Sequence, residues 1–169
     1  PQNKYSMEFN HDKQRIMNTS SLYTAPFGNL TLVFDSNQNL IELHLHGQPE
    51  YAPYPLPEYW QNLLDQYFSG SLKSFQQLIS TQGTPYQQKV WQAIANIPAG
   101  QVLTYQDIAR QIGSHPRAVG QACGKNPLAL VVPCHRVVAK NGLGGFSSGQ
   151  DNALNIKRWL LVHEGINID

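Results

Sequence analysis

Cysteine is scarce in this sequence, since the 169 residues contain only Cys123 and Cys134. Two thiols cannot form the disulfide framework of a small secreted domain, so we expect both to be reduced and available for chemistry. Long apolar runs are missing too, and stretches such as residues 128–133 are far too short to cross a bilayer. No segment joins a basic start to an apolar middle and a small-residue cleavage site. We therefore expect an intracellular protein that makes no membrane contact and is cytoplasmic in a prokaryotic host.

Charge is also sparse and unevenly distributed. Charged residues make up 14% of the chain, and the net charge is +1. After residue 80, eight Lys and Arg face four Asp and Glu, whereas before it four basic residues face seven acidic ones. The second half is therefore the part that could approach an anion, although a solvated surface explains such an excess about as often as a polyanionic partner does.

The chain divides into three regions. Residues 1–18 are polar and without periodicity, which is typical of a loose lead-in. Residues 19–82 contain alternating apolar and polar segments that predict two or three antiparallel strands followed by a helix. In the last strand His44 and His46 share a face and could bind a metal, but a solvated face fits the pattern better. Residues 83–169 have mainly helical spacing.

Two short helices separated by a tight turn are predicted in the second half. One runs from the capping residue Thr104 to Gly113, and the other from Arg117 to Lys125. The spacing is typical of a helix-turn-helix, although similar hairpins occur in proteins that never touch nucleic acid. The second helix carries small side chains and one long charged residue at its start. Such a helix can lie close to a sugar-phosphate backbone without selecting a sequence, and Arg117 is suited to entering a base stack.

The run ALVVPCHRVV places Cys134 beside His135. Residues 130–132 are predicted as a short strand that Pro133 keeps extended. A buried strand with an inert thiol is one interpretation. Nucleophilic chemistry is the other, and it requires a base to remove the proton of a thiol whose pKa is near ~8.5. Neighbours on a strand point to opposite faces, so His135 needs a turn or a bridging water to act on the sulfur, and Glu164 is the best acid to orient it.

Six short motifs follow one another between Thr84 and Gly165. In chain order they are Thr-Pro-Tyr-Gln-Gln-Lys-Val-Trp, Thr-Tyr-Gln-Asp-Ile-Ala, Arg-Ala-Val-Gly-Gln-Ala, Gly-Lys-Asn-Pro, Val-Pro-Cys-His-Arg-Val-Val and Trp-Leu-Leu-Val-His-Glu-Gly. In these motifs the chain resembles the methylated-DNA–protein-cysteine methyltransferases, also called O6-alkylguanine-DNA alkyltransferases. The N-terminal part matches loosely, through Tyr-Thr-Ala-Pro-Phe-Gly. The resemblance implies an α/β (α+β) protein of two small domains. Residues 19–82 would form a ribonuclease H-like mixed sheet with helices, and residues 83–169 a mostly helical domain with the helix-turn-helix.

The resemblance also implies a function in DNA repair. The protein would transfer methyl or other alkyl groups from O6-alkylguanine, and from O4-alkylthymine, irreversibly onto its own Cys134, once per molecule. Its partner would be double-stranded DNA, bound mainly through the backbone with one nucleotide flipped out, and the protein would act as a monomer. No cofactor is expected. Some relatives bind zinc through two Cys and two His of the N-terminal domain, but this sequence has no Cys before residue 123, so no metal is expected.

Five catalytic roles follow from the resemblance. Cys134 would attack the alkyl carbon. His135 would take the thiol proton through a water molecule, and Glu164 would orient His135. Tyr105 would donate to guanine N3 so that the purine can leave, and Asn126 would brace the active-site turn.

A second group of residues would contact DNA and the flipped base. Arg117 would fill the gap left by the extruded nucleotide, and Ala118 and Gly120 would form the slim face of the recognition helix. Val137 and Ser147 would read the purine edges.

The sequence departs from the family in the pocket. Phe146 stands where many relatives carry a tyrosine, and residues 148–156 are a longer segment than is usual. Two other function classes remain open: a non-catalytic binder of DNA lesions, which Cys134 disfavours, and a Cys-His-Glu hydrolase, for which no oxyanion hole is evident.

Overall fold

The computed structural model describes residues 18–47, 54–75, 82–145 and 152–168. The first of these ranges forms a three-stranded antiparallel sheet in the order β1-β2-β3, with β1 at Thr19–Ala25, β2 at Gly28–Phe34 and β3 at Leu40–His44. Gly28 begins β2 with φ at 135°, which a side chain would strain. The strands predicted from alternation are confirmed. The lead-in predicted at residues 1–18 lies almost wholly outside the described residues.

Helix α1, at Glu58–Phe68, packs its apolar side against this sheet. Trp60, Leu64 and Tyr67 are buried. Tyr23 of β1 stacks on Phe68 with ring centroids 5.7 Å apart, and its hydroxyl donates to Asp65 at 2.8 Å. The helix therefore supplies the second layer of the N-terminal region.

The next helix, α2 at Pro85–Ala95, begins directly after a capping residue. Thr84 caps it, and the Gln87 side chain completes a reciprocal capping box. Val90, Trp91 and Ile94 form its buried stripe, at the three- and four-residue spacing of one helix face.

Helices α3 at Tyr105–Ile112 and α4 at Pro116–Gly124 are joined by three residues, 113–115. Thr104 and Asp107 form the predicted capping box, and Gly113 ends α3 in the left-handed conformation at φ 69°. Ala109 and Val119 are fully buried in the hydrophobic core. The indole of Trp91 in α2 donates to the carbonyl of Ala122 in α4 at 2.8 Å, which ties the helix pair to the core.

The prediction of a strand at residues 130–132 is wrong. The chain turns there, because Leu130 adopts φ 72° and the Val132 N–H bonds back to Leu128 O at 2.8 Å. A 3₁₀ turn, Cys134–Arg136, follows, and then the short strand β5 at Val137–Val138. β5 pairs in parallel with β4 at Leu103–Thr104.

The final helix, α5 at Ala153–His163, packs against both parts of the chain. Trp159 contacts Phe27 and Phe68 of the N-terminal region at ring distances of 5.2 and 5.8 Å. Leu43 of β3 exchanges two backbone hydrogen bonds with the segment at 127–129. One hydrophobic cluster thus includes residues from both sides of the predicted division at residue 82. Within the described residues, no helix has the length and apolarity needed to cross a membrane.

Candidate active site

Asn126 holds the segment that carries Cys134. Its Nδ2 donates to Val132 O at 2.9 Å and to the Cys134 Sγ at 3.2 Å, while its Oδ1 accepts from Leu128 N at 3.0 Å. One side chain therefore closes the turn and touches the sulfur. Cys134 itself is 7% exposed.

His135 and Glu164 form a buried pair. His135 Nε2 lies 2.9 Å from Glu164 Oε2, and the imidazole is fully buried. A carboxylate can only accept, so Nε2 carries the proton and Nδ1 is left as an acceptor. Nδ1 is buried and has no hydrogen-bond partner among the described residues. Burial lowers the pKa of His135, and the contact with Glu164 opposes that shift. A neutral imidazole with a free acceptor is suited to receive a proton.

Two further side chains hold Glu164, and neither was predicted from the sequence. Arg136 binds it in a bidentate manner, with Nε at 2.8 Å from Oε1 and Nη2 at 2.8 Å from Oε2. Tyr67 of α1 donates its hydroxyl to Oε2 at 2.7 Å. Burial raises the pKa of Glu164, but the bonds from Arg136 and His135 outweigh it and hold the pKa far below its ordinary value of 4.5. The carboxylate is ionised in the folded protein.

The surroundings of Cys134 favour the neutral thiol at rest. The adjacent Cys123 side chain and burial both raise the pKa of Cys134, while Asn126 and Lys157 lower it. Reaction at neutral pH therefore needs a base to remove the proton. The structure thus places the side chain of Cys123, on α4, against the candidate nucleophile.

Lys157 was also missed. It is fully buried on α5, and its Nζ donates to Val137 O at 2.7 Å and to Gly145 O at 2.9 Å. Burial lowers its pKa to about 8, while the two cysteines oppose that shift. The ammonium group lies 5.9 Å from the centroid of the Tyr105 ring. A lysine one turn before Leu160 and Leu161 could have been noticed as an interruption of the apolar face.

Tyr105 begins α3 and reaches the same region. Its hydroxyl donates to Gly145 O at 3.2 Å, and burial raises its pKa to about 12. It is therefore protonated at neutral pH and able to donate. At Gly144, where φ is 74°, a Cβ would lie 2.8 Å from a Tyr105 ring carbon, so only glycine fits against this ring.

The remaining predicted residues lie on or near α4. Arg117 is exposed at its start, and Ala118 and Gly120 are half-buried. A Cβ at Gly120 would lie 4.0 Å from the Tyr105 ring, so this part of α4 adjoins the site. Val137 is buried, and its carbonyl accepts from Lys157. Phe146, Ser147 and residues 148–151 of the long segment lie outside the described residues, whereas residues 153–156 form the first turn of α5.

The two histidines of the N-terminal region line one cavity together with Asn126. The rings of His44 and His46 are 5.4 Å apart, and His44 Nε2 lies 3.3 Å from Glu42. No group of three or more His, Cys, Asp or Glu residues that could hold a metal occurs in the parts of the chain that the structure covers.

Comparison with known proteins identifies the family. Residues 85–166 match the family described as the DNA-binding domain of 6-O-methylguanine DNA methyltransferase. The chain is 44% identical over 105 residues to a methylated-DNA–protein-cysteine methyltransferase of Saccharolobus islandicus, covering 62% of this chain and 67% of that protein. A relative of the same description from Methanosarcina mazei is 46% identical over 110 residues, covering 63% and 67%.

Solved structures extend the likeness over both regions. The O6-methylguanine methyltransferase of Mycobacterium tuberculosis superimposes with a TM-score of 0.73 at 34% identity, covering 90% of this chain and 97% of that one. The protein of the same organism described as OGT in complex with DNA gives 0.74 at 37% identity, covering 86% and 92%. The chain belongs to the methylated-DNA–protein-cysteine methyltransferases.

Proposed function

We propose that this protein repairs DNA by moving the alkyl group of O6-alkylguanine onto the Sγ of Cys134. The observation that carries the proposal is the position of that sulfur in a member of this family. It accepts from Asn126 at 3.2 Å, and the next residue is a buried histidine paired with an ionised carboxylate. An inert packing thiol requires neither feature.

The proposed reaction begins with removal of the thiol proton. His135 Nδ1 takes it through a water molecule, and Glu164 stabilises the imidazolium that forms. The sulfur attacks the alkyl carbon, a new S–C bond forms, and the bond from that carbon to O6 breaks. Tyr105 donates to N3 of the departing purine, which leaves as neutral guanine. The proton held by His135 replaces the one that Tyr105 supplies, so overall one proton passes from the thiol to guanine, and a thioether remains on Cys134.

The product explains why no second cycle follows. A thioether bond to carbon is much more stable than the alkoxypurine bond that it replaces. None of the roles proposed for these residues includes hydrolysis of that thioether. Each molecule is therefore consumed by one transfer, and we extend the same reaction to O4-alkylthymine.

For DNA binding we propose that α3 and α4 act as a helix-turn-helix on duplex DNA. Ala118 and Gly120 give α4 a slim surface that approaches the backbone without reading the bases. Arg117 occupies the space of the flipped nucleotide, since a base must leave the stack before its O6 substituent can reach a buried sulfur. Val137 and Ser147 contact the purine edges. We further propose that the protein acts as a monomer and that residues 19–82 form a ribonuclease H-like domain.

The test is stoichiometric. The protein is incubated with excess duplex DNA carrying one O6-methylguanine, and the repaired base and the protein mass are both followed. Transfer predicts one guanine restored and one methyl gained per protein molecule, with neither change for Cys134→Ser. Tight lesion binding with unchanged mass would select the non-catalytic binder. Turnover of an acyl ester without any effect on DNA would select the hydrolase.

A further inference from the structure

Glu164 Oε2 accepts hydrogen bonds from two parts of the chain at once. His135 Nε2 lies 2.9 Å from this oxygen and Arg136 Nη2 lies 2.8 Å from it, both from the 3₁₀ turn that carries Cys134. The Tyr67 hydroxyl, from α1 of the N-terminal region, lies 2.7 Å from the same oxygen. A residue 97 positions away along the chain therefore touches the carboxylate that orients the proposed base.

The hydroxyl of Tyr67 is firmly placed. The side chain is 1% exposed, and its ring lies 5.3 Å from the rings of Phe75 and His163. The Tyr67 carbonyl accepts from His163 Nε2 at 2.8 Å, which ties α1 to the end of α5 just before Glu164. A fixed donor at this distance constrains the carboxylate as well as satisfying it.

We propose that Tyr67 is a positioning residue for alkyl transfer. Its hydroxyl fixes the Glu164 carboxylate and weakens the electrostatic stabilisation that this carboxylate gives to a protonated His135. The inference rests on the proposed function and adds a role for the N-terminal region in it. When one carboxylate oxygen accepts several hydrogen bonds, each donor is stabilised less than a single donor would be. Tyr67 therefore keeps the imidazole less basic than an undivided contact with Glu164 would make it.

Few charged or titratable groups surround this pair within the described residues. Arg136 faces Glu164 from the 3₁₀ turn, and Lys157 acts on His135 from α5. His163 lies beside Tyr67 on the same helix as Lys157. Loss of the Tyr67 hydroxyl leaves these three side chains in place and strengthens the interaction of Glu164 Oε2 with His135. The pKa of His135 then rises, and a larger fraction is protonated and unable to accept the thiol proton at a given pH.

The experiment compares Tyr67→Phe with Tyr23→Phe. Tyr23 is the matched control, because its hydroxyl also donates to a carboxylate, Asp65, at 2.8 Å and its ring is also buried. Both variants lose one hydrogen bond beside α1. Single-turnover methyl transfer from O6-methylguanine duplex is measured from pH 5.5 to 9 at saturating protein, with DNA affinity measured separately.

Tyr67→Phe is expected to slow transfer at neutral pH by about tenfold, the lower end of the effect of losing one hydrogen bond to a charged group. The acid limb of its pH–rate profile is expected to move to higher pH, while its affinity for DNA is unchanged. Tyr23→Phe keeps the wild-type rate and profile. A ring-fluorinated tyrosine at position 67 donates more strongly and keeps the packing, so it should move the acid limb to lower pH.

A wild-type profile in Tyr67→Phe, or equal changes in both Phe variants, overturns the inference while wild-type transfer leaves the proposed function standing. If Tyr67→Phe does not fold, an unshifted limb in the fluorinated protein overturns it. If the wild-type protein itself transfers no methyl group, the proposed function fails and this inference fails with it.

Discussion

Replacing Asn126 with alanine tests how the turn prepares the sulfur. The variant removes the Nδ2 donor 3.2 Å from Cys134 Sγ and the acceptor of the Leu128 N–H. Val132 O loses the same donor but keeps the bond from Cys134 N at 2.8 Å. Because one backbone group loses its partner while the other does not, we expect unfolding to become easier by about 1–2 kcal/mol.

The larger effect is expected on the thiolate. Asn126 lowers the pKa of Cys134 against Cys123 and burial, which raise it. A hydrogen bond to a charged group contributes about 1.5–3 kcal/mol, and one pKa unit corresponds to about 1.4 kcal/mol. The pKa of Cys134 should therefore rise further, and the thiolate fraction at neutral pH should fall by about tenfold to a hundredfold.

The assay is the rate of Cys134 alkylation by iodoacetamide as a function of pH. Cys123→Ala is introduced in both the reference and the variant, so that only one thiol reacts. Chemical denaturation gives the stability of each protein, and methyl transfer is followed in parallel. Asn126→Asp is the comparison variant, because it can still accept from Leu128 N but replaces the donor with a negative oxygen, and it should raise the pKa of Cys134 further than alanine does.

A folded Asn126→Ala protein whose alkylation profile coincides with that of its reference would refute this reasoning. The bond to sulfur would then contribute nothing to thiolate formation, and Asn126 would act on the backbone alone.

Three other predictions concern the surroundings of Cys134. Glu164→Gln leaves the buried Arg136 without its counter-ion and should lower the free energy of unfolding at pH 7 by about 3–5 kcal/mol in urea titrations. Because the pKa of Glu164 is lower in the folded state, the wild-type protein should lose this contribution as pH falls below 4.5. A variant whose stability falls with acid as steeply as that of the wild-type protein would contradict this prediction. Arg117→Ala should slow methyl transfer from duplex DNA by roughly tenfold, since unstacking a base costs a few kcal/mol, while transfer from the free modified base is unchanged; equal losses on both substrates would exclude a role in base flipping. Lys157→Met removes a cation that lowers the pKa of Cys134, so iodoacetamide alkylation should slow at neutral pH, and an unchanged rate would exclude that influence.

Local signals explain what could be predicted of the fold. Helices α2 and α3 begin at capping boxes formed within four residues, at Thr84 and Thr104, and α3 ends at a glycine in the left-handed conformation. These interactions involve neighbours along the chain, so the sequence alone indicates them. The pairing of His135 with Glu164 was inferred from residue types and from the family resemblance, and the structure places the two side chains 2.9 Å apart.

Long-range contacts explain what was missed. The turn at residues 128–133 looks like a strand in sequence because its residues are apolar, yet its shape depends on the Asn126 side chain and on Leu130 at φ 72°. Tyr67 reaches Glu164 only because α1 packs beside α5. Lys157 interrupts the apolar face of α5 in the sequence, but the two carbonyls that accept from its ammonium group are brought there by tertiary structure. No local pattern encodes these contacts.

The central claim is that Cys134, and not the adjacent Cys123, receives the alkyl group. Trypsin separates the two thiols, since cleavage after Arg117, Lys125 and Arg136 yields one peptide of residues 118–125 and another of residues 126–136. After incubation with O6-methylguanine duplex, tandem mass spectrometry should find one methyl group, on the sulfur of the 126–136 peptide alone. A methyl group on the 118–125 peptide, or repaired DNA with both cysteines unmodified, would contradict the account.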